Sequence, residues 1–505
     1  MPDLTSRRAV PERLPRRRQL LVLAICCMSL LIVSLDNTAL NVALPAMRRD
    51  LGASVSGLQW TIDAYTLVLA SLLMLAGSTA DRIGRRKVFV TGLVVFALGS
   101  LLCSLAPSLE ALVAFRAVQA VGGSMLNPVA MSIITNTFTE PAARARAIGV
   151  WGGVVGVSMA AGPLVGGLLV ESVGWRSIFW VNLPVALAAL LLTLRYVPES
   201  RAPRPRRPDP VGQLLVAALL ASLTYAIIES DPLFAGIAAV ALAGLLRYEP
   251  RRRDPLIDLR FFRSAPFGGA TVIAVCAFAA LGGFLFLNTL YLQDVRGLSA
   301  LHAGLYMLPM AGMTLVFAPL SGRLTGARGP RVPLLLAGTG MAAGPLLFAA
   351  FEAETSGPLL FAGYVVFGIG FGLVNAPITN TAVSGMPRAQ AGVASAVAST
   401  SRQVGQTLGV AVIGAVLAAG AGSVPDSETF VAAARPAYWI ITGCGLAVLA
   451  VGALTSGPWA RRTAERTARR LGPEPWRRLL GSALSRSAGC DSSGPLDCRS
   501  DPASL

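Results

Sequence analysis

The sequence predicts an all-α membrane protein: fourteen transmembrane helices, arranged as two six-helix bundles with two further helices inserted between them. Three observations carry this. The 505 residues are 54% hydrophobic and only 14% charged, more apolar than a soluble core absorbs. The apolar residues fall into runs close to the ~20 residues a helix needs to cross a bilayer. The cations collect between those runs, and mostly on one side of them.

In order, the runs are 20–42, 58–80, 88–106, 111–136, 147–170, 178–197, 211–229, 232–247, 266–291, 300–321, 332–351, 357–383, 391–419 and 437–456. The eighth is the shortest and lies at the lower limit for spanning. Arginines precede the first run, as in a secretory leader, but the run exceeds the ~7–15 residues of a leader's apolar core. No small-residue cleavage site precedes the polar Asp36 and Asn37, so the run counts as the first span.

With the N-terminus inside, the inner segments hold thirty-five Lys and Arg, and the outer loops hold five: Arg48, Arg49, Arg176, Arg296 and Arg435. An odd number of spans would scramble that asymmetry. Fourteen spans with both termini cytoplasmic satisfy the positive-inside rule.

Two segments punctuate the chain. Residues 198–210 contain Pro203, Pro205 and Pro208 among four arginines and read as an extended linker. A second basic stretch, 247–263, follows two spans later. The expected organisation is a basic N-tail (1–19), an N-terminal six-helix bundle (20–197), a linker region with two additional helices (198–265), a C-terminal six-helix bundle (266–456) and a disordered C-tail (457–505). A weak internal repeat fits two halves: APLSGRLTGARGPR (318–331) resembles AGSTADRIGRR (76–86), with Gly322 where Asp81 stands.

Scarcities exclude whole classes of function. The single lysine, Lys87, follows Arg86 and precedes Val88, so there is no Walker A loop. One histidine, His302, excludes a histidine-rich metal site and leaves no plausible hydrolytic triad. Cys26, Cys27, Cys103, Cys276 and Cys444 lie in apolar runs and Cys490 and Cys498 in the tail, without zinc-site spacing. The net charge of +17 follows topology rather than a groove-binding face, so nucleic acid is not a partner. The expectation is no enzyme, no catalytic residue, no cofactor and no metal. Forty-two arginines against one lysine suggest a GC-rich genome, compatible with an antibiotic-producing bacterium.

Three ionisable residues interrupt the spans of the first half: Asp36, Asp63 and Arg116. A mid-membrane charge costs about 2.5–3.5 kcal/mol on insertion scales, so a retained one has a partner or a task. At ~1.5 Å per residue Asp36 lies ~24 Å from the inner end of its run, and Asp63 and Arg116 each lie ~8 Å from the outer end of theirs. All three therefore share one level. Two readings stand. An arginine beside a carboxylate that binds and loses a proton forms a proton-coupled switch; alternatively, the three form a static network holding the first, second and fourth helices, with Asn37, Thr38 and Asn41 offering Asp36 local bonds.

In the fifth run, Gly149, Gly152, Gly153, Gly156, Gly162 and Gly166 give overlapping four-residue spacings around Pro163, which lets two helices touch closely. Such a seam between halves would stop leak while they rock. The glycines of GIGFGL (368–373) lie mid-span with no preceding strand and are no dinucleotide fingerprint. Arg402, mid-depth in the thirteenth run, is the buried cation of the second half, without an acidic neighbour.

The loop GSTADRIGRRK (77–87) resembles the loop signature of the major facilitator superfamily. LDNTALNVALP (35–45), LVAFRAVQAVGG (112–123), GVWGGVVGVSMAAGPLVGG (149–167), WRSIFWVNLP (175–184) and RQVGQTLGVA (402–411) are similar to motifs of its fourteen-helix drug:proton antiporter branch. The likeness covers nearly the whole chain except the tails.

It implies proton-driven export of structurally varied compounds by a monomer in the bacterial cytoplasmic membrane. It makes Asp36, Asp63 and Arg116 the proton-coupling residues. Gly77, Asp81, Arg82, Gly84, Arg85 and Arg86 become a conformational latch, and Gly149, Gly153, Gly156, Gly162, Pro163, Gly166 and Gly167 the antiporter motif. Asn41, Gln119, Asn375 and Arg402 are candidates for the substrate cavity. The chain departs from those members that carry acids in the second half.

One proton moving inward through ~100 mV yields about 2.3 kcal/mol, and one pH unit about 1.4 kcal/mol. Together they sustain a gradient of roughly several hundredfold for a neutral compound at ~1.4 kcal/mol per decade. The alternatives are a transporter of another metabolite or lipid on the same fold, or a non-transporting membrane sensor.

Overall fold

A computed structural model of the chain describes residues 15–202, 209–252, 255–349, 355–384, 391–421 and 427–471. Among them there is no strand, and fourteen helices are long and apolar enough to cross a membrane. The protein is a multi-pass membrane protein. The first half comprises α1 (Arg16–Leu51), α2 (Val55–Ile83), α3 (Arg85–Ser104), α4 (Leu109–Thr137), α5 (Pro141–Ser172) and α6 (Ser177–Tyr196). A hairpin of α7 (Pro210–Ile228) and α8 (Pro232–Tyr248) follows. The second half comprises α9 (Ala265–Leu290), α10 (Ala300–Arg328), α11 (Arg331–Ala349), α12 (Gly357–Val383), α13 (Ala391–Ala421) and α14 (Ser427–Thr455).

Most helices outrun the apolar stretches that announced them, because a helix continues past its first charge until the backbone is forced out of helical φ/ψ. The tenth run ends at residue 321, yet α10 carries on through Arg328 to Gly329, whose φ of +80° only glycine adopts without strain. The fourteenth run starts at residue 437, but α14 begins ten residues earlier, at Ser427. The helix α9 is prolonged by a π-helical turn, Tyr291–Val295. The sixth run is broken by a turn at Val181.

The two halves repeat each other's packing. α3 lies on α4, α2 on α4, α1 on α5 and α3 on α6; in the second half α11 lies on α12, α10 on α12, α9 on α13 and α11 on α14. The helices α2 and α10 both span 29 residues and both close on a positive-φ glycine, Gly84 and Gly329. Matched on those glycines, the counterpart of Asp81 is Gly326 rather than the Gly322 that the letters align.

Close approach replaces hydrophobic drive inside the bundles, since lipid tails are as apolar as leucine. Gly122 of α4 rests on the Phe96 backbone of α3, and Gly99 of α3 on the backbone of Gln119. Leucines such as Leu98, Leu187 and Leu214 stay exposed on the outward faces, where lipid covers them. The α7–α8 hairpin packs on α2 and α13. It is pinned to α2 at both ends: Gln213 donates to the Ser71 carbonyl, and Trp60 Nε1 donates to Glu229 Oε1 at 2.8 Å.

The expected disorder of the C-tail is corrected for its first part. Pro458–Leu471 forms a helix, α15. Ala460, Ala464 and Thr467 are buried on one stripe of it, the arginines face outward, and Thr463 Oγ1 accepts from the Ala265 N–H at 3.0 Å. Charged composition suggested disorder; the spacing of the small residues lets the helix dock. The N-tail to residue 14, the centre of the proline-rich linker (203–208) and residues 472–505 lie outside the described residues.

Candidate functional site

The centre of the first half is a polar cluster assembled by four helices. Asp36 of α1 is 2% exposed and Arg116 of α4 is 0% exposed. Arg116 Nη1 lies 2.5 Å from Asp36 Oδ2 and also donates to Gln119 Oε1 at 2.7 Å. Asp36 Oδ1 accepts from Gln119 Nε2 at 2.9 Å and from Asn182 Nδ2 at 2.7 Å. Ser100 Oγ of α3 closes the ring, accepting from Gln119 and Asn182. The arginine also donates from Nε to the Thr61 carbonyl at 3.2 Å, and its guanidinium carbon stands 4.2 Å from the centre of the Tyr65 ring. Three donors satisfy the buried carboxylate, the arrangement in which a charge can remain in low dielectric, while Arg116 Nη2 has no hydrogen-bond partner among the described residues.

Asp63 is placed differently from the sequence expectation. It shares the level of Arg116, but the cation belongs to Asp36. Asp63 is 0% exposed, its Oδ1 accepts from Thr66 Oγ1 at 3.4 Å, and its Oδ2 has no hydrogen-bond partner among the described residues. Thr66 in turn accepts at 2.8 Å from Thr407 Oγ1 of α13, in the other half. The acid without a cation therefore sits one residue from the seam between halves.

That seam is closed at the cation-poor end, whereas toward the other end the glycines of α5 and α10 meet no neighbour. Near the closed end Arg48 meets Asp294 at 3.4 Å, Gln293 Nε2 donates to the Val42 carbonyl at 2.8 Å, and Ser299 Oγ donates to Glu171 at 2.9 Å. Gln59 Nε2 donates to the Ala411 carbonyl at 2.8 Å, and a Cβ on Gly414 would overlap the Gln59 side chain. Between α5 and α10, Gly167 abuts Ala300 and Leu301, Gly304 abuts Pro163, and Gly156 meets Leu315.

At 100° per residue, Gly152 lies within about 20° of Pro163 on α5, and Gly322 lies directly below Gly304 on α10. A Cβ on Gly149, Gly152, Gly322 or Gly326 would meet nothing within 4 Å. The same glycine stripes that interlock at one end stand bare at the other.

The glycine motif of α5 thus serves two partners. Gly156, Pro163 and Gly167 face α10 across the halves, whereas Gly162 and Gly166 press on Thr38 and Ala39 of α1 within the first half. Gly149 and Gly153 face open space.

The basic loop is clasped within its own half. Asp81 Oδ1 accepts from Arg85 Nη2 at 2.8 Å and Nε at 3.0 Å. The segment leaving α6 runs back across the turn: Arg85 N donates to the Ser200 carbonyl at 2.9 Å, Ala202 N to the Asp81 carbonyl at 3.0 Å and Arg86 N to Glu199 Oε1 at 3.1 Å. Arg86 also donates to the Leu194 carbonyl, Gly84 turns at φ +126° against the Glu199 carboxyl, Gly77 touches Pro128 and Arg82 is exposed.

Of the four cavity candidates, Gln119 is fully buried in the ion-pair cluster and Asn41 is buried, donating locally to the Asn37 carbonyl at 2.9 Å. Asn375 and Arg402 come together: Arg402 Nη2 reaches the Asn375 carbonyl at 3.5 Å and Thr379 Oγ1 at 2.5 Å, with the Phe278 ring 5.9 Å away. Sequence reasoning missed Ser100, Asn182 and Asp50. Asn182 stands polar before Leu183 and Pro184 in the sixth run, a signal that could have found it. Asp50 accepts from Trp175 Nε1 at 2.9 Å and Arg176 Nη1 at 2.6 Å, tying α1 to the start of α6.

The sequence profile described as Major Facilitator Superfamily matches residues 26–410. Over 412 residues the chain is 38% identical to the "Multidrug resistance protein Stp" of Mycobacterium tuberculosis, covering 80% of this chain and 76% of that one. It is 38% identical over 408 residues to the "Tetracenomycin C resistance and export protein" of Streptomyces glaucescens, covering 78% and 76%. It is 34% identical over 410 residues to the "Multidrug efflux pump LfrA" of Mycolicibacterium smegmatis, covering 80% and 81%. Among solved structures, a bacterial homologue of the human drug peptide transporters PepT1 and PepT2 superposes with a TM-score of 0.62 at 16% identity, covering 90% of this chain and 100% of that one. This last likeness concerns the fold alone.

Proposed function

The chain belongs to the major facilitator superfamily, and on that premise we propose that it exports drug- or antibiotic-like amphipathic small molecules in exchange for protons. It is a transporter and not an enzyme; the relatives at 34–38% identity are named for resistance and efflux. The cation-rich end is cytoplasmic by the positive-inside rule, so both termini lie inside, in a bacterial cytoplasmic membrane. The two six-helix halves, 20–197 and 266–456, are the bodies that rock, and one chain works as a monomer. In the described state the outer seam is shut and the halves are parted toward the cytoplasm.

The observation that carries the mechanism is the chain Asp63–Thr66–Thr407. A buried carboxyl with one unpartnered oxygen and no cation is inexpensive only while it holds a proton. Protonated Asp63 therefore permits the α2–α13 seam to close on the outside. Loss of that proton leaves an uncompensated charge at the seam and favours reopening outward, with the compound aboard. Asp36, with both carboxylate oxygens engaged, and Arg116 hold the first half rigid during this motion. Asp81, Arg82, Arg85 and Arg86, clasped within the first half here, become available to the second half as a latch when the cytoplasmic ends approach.

The test is uptake of a panel of fluorescent drugs into everted membrane vesicles energised by a proton gradient. Asp63→Asn should keep expression and melting temperature while losing gradient-driven uptake. Undiminished uptake by that variant removes Asp63 from the mechanism. Wild-type flux that ignores a collapsed gradient removes proton coupling altogether.

A further inference from the structure

Arg402 is a half-buried charge within a span that this mechanism leaves unused. It lies eleven residues into α13, ~17 Å from the helix start at ~1.5 Å per residue, hence at mid-membrane depth. Its described partners are all neutral: Thr379 Oγ1 at 2.5 Å, the Asn375 carbonyl at 3.5 Å and the face of Phe278. Its Nε is buried without a hydrogen-bond partner among the described residues.

No carboxylate among the described residues is placed to neutralise it. Between residues 266 and 456 the acids are Asp294, Glu352, Glu354, Asp426 and Glu428. Of these, Asp294 and Glu428 are among the described residues, and both fall at the opposite, cation-poor end of the second half. In the first half Asp36 is engaged by Arg116, and Asp63 is fully buried against Thr66. An arginine keeps its charge at any physiological pH, and at this depth such a charge faces a water-filled cavity or an anion. Arg402 is partly exposed, and Thr379 and Asn380 beside it are exposed, on the side toward which the halves part.

Resting on the exporter reading, we propose that Arg402 is the anchor for an anionic group of the transported compound, a carboxylate or ionised phenol on an aromatic body. Phe278 offers the ring an apolar surface, while the guanidinium's fork pairs with two oxygens. Lipophilic cations are disfavoured, because the guanidinium at this site repels them. Exchange of a monoanion for a proton also moves two charges per cycle. The accumulation ratio of such an anion should respond to membrane voltage with twice the logarithmic slope of its neutral ester.

The test uses three probes sharing one fluorophore: pyrenebutyrate, its methyl ester and pyrenebutyl-trimethylammonium. Binding to the purified full-length protein is measured by equilibrium dialysis. The acid should bind about tenfold or more tightly than the ester, and the cation most weakly. Arg402→Gln should abolish the acid-over-ester ratio, and Arg402→Lys should retain part of it.

An ester or cation that binds the wild type as well as the acid does overturns the proposal, whether or not the variants fold. So does a ratio that survives Arg402→Gln. Loss of the acid's advantage on adding phosphatidylglycerol assigns the site to a lipid headgroup and also overturns it. Binding does not require transport. An Arg402-dependent preference without proton-driven flux therefore sinks the exporter reading alone, and proton-driven flux that favours the cation sinks this inference alone.

Discussion

Asp36→Asn is the substitution that weighs the buried cluster of the first half. The wild-type carboxylate accepts Arg116 on one oxygen and both Gln119 and Asn182 on the other. An amide has one acceptor oxygen. Turned one way it points N–H groups at the guanidinium; turned the other it points them at two amide donors. Either way a donor is stranded, and Arg116, 0% exposed, loses its counter-ion while keeping only Thr61 and Gln119. Removing one member of a buried, hydrogen-bonded pair costs about 3–5 kcal/mol, which is roughly two to three and a half decades in the folded ratio.

The assay is detergent-solubilised protein titrated with SDS and followed by tryptophan fluorescence. Asp36→Asn and Arg116→Gln should each unfold markedly earlier. The double variant, in which two neutral amides can bond each other, should recover part of the loss, with a coupling of about 2 kcal/mol or more in the cycle. An Asp36→Asn protein that unfolds with the wild type would refute a structural role for the pair. It would return Asp36 to the list of proton carriers.

Other outcomes follow from the seam. Gly304→Val would drive a side chain into the Pro163 carbonyl; it should prevent outer closure and reduce export by about tenfold or more, read in the same vesicles. A Cβ on Gly152 meets nothing within 4 Å in the described state, so the melting temperature of Gly152→Ala should match the wild type. If the bare stripe closes during the cycle, the variant should nevertheless fail to transport, and full activity would count against rocking about α5 and α10. Thr66→Cys with Thr407→Cys, at positions whose hydroxyls stand 2.8 Å apart, should crosslink under oxidant and arrest export until reduced. Asp50→Asn weakens the tie of α1 to Trp175 and Arg176. Its partly exposed setting limits the expected loss to about 1 kcal/mol, visible as a small shift in the SDS titration.

The sequence by itself determined the number of spans, their order and the asymmetry of charge. Those properties are local: a bilayer demands a fixed length of apolar helix, and cations stay where they are made. It also singled out Asp36, Asp63, Arg116 and Arg402, because a charge inside an apolar run is conspicuous whatever surrounds it. Partnership is not local. Asp63 and Arg116 stand at equal depth by counting residues, yet Arg116 pairs with Asp36, since helix rotation decides which side chains meet and apolar runs carry little information about rotation. The glycines of α5 show the same limit: their spacing announces close packing, while only the tertiary structure divides them between α1, α10 and open space. Helix α15 was hidden because three small residues decide its docking against a majority of arginines that suggested a free tail.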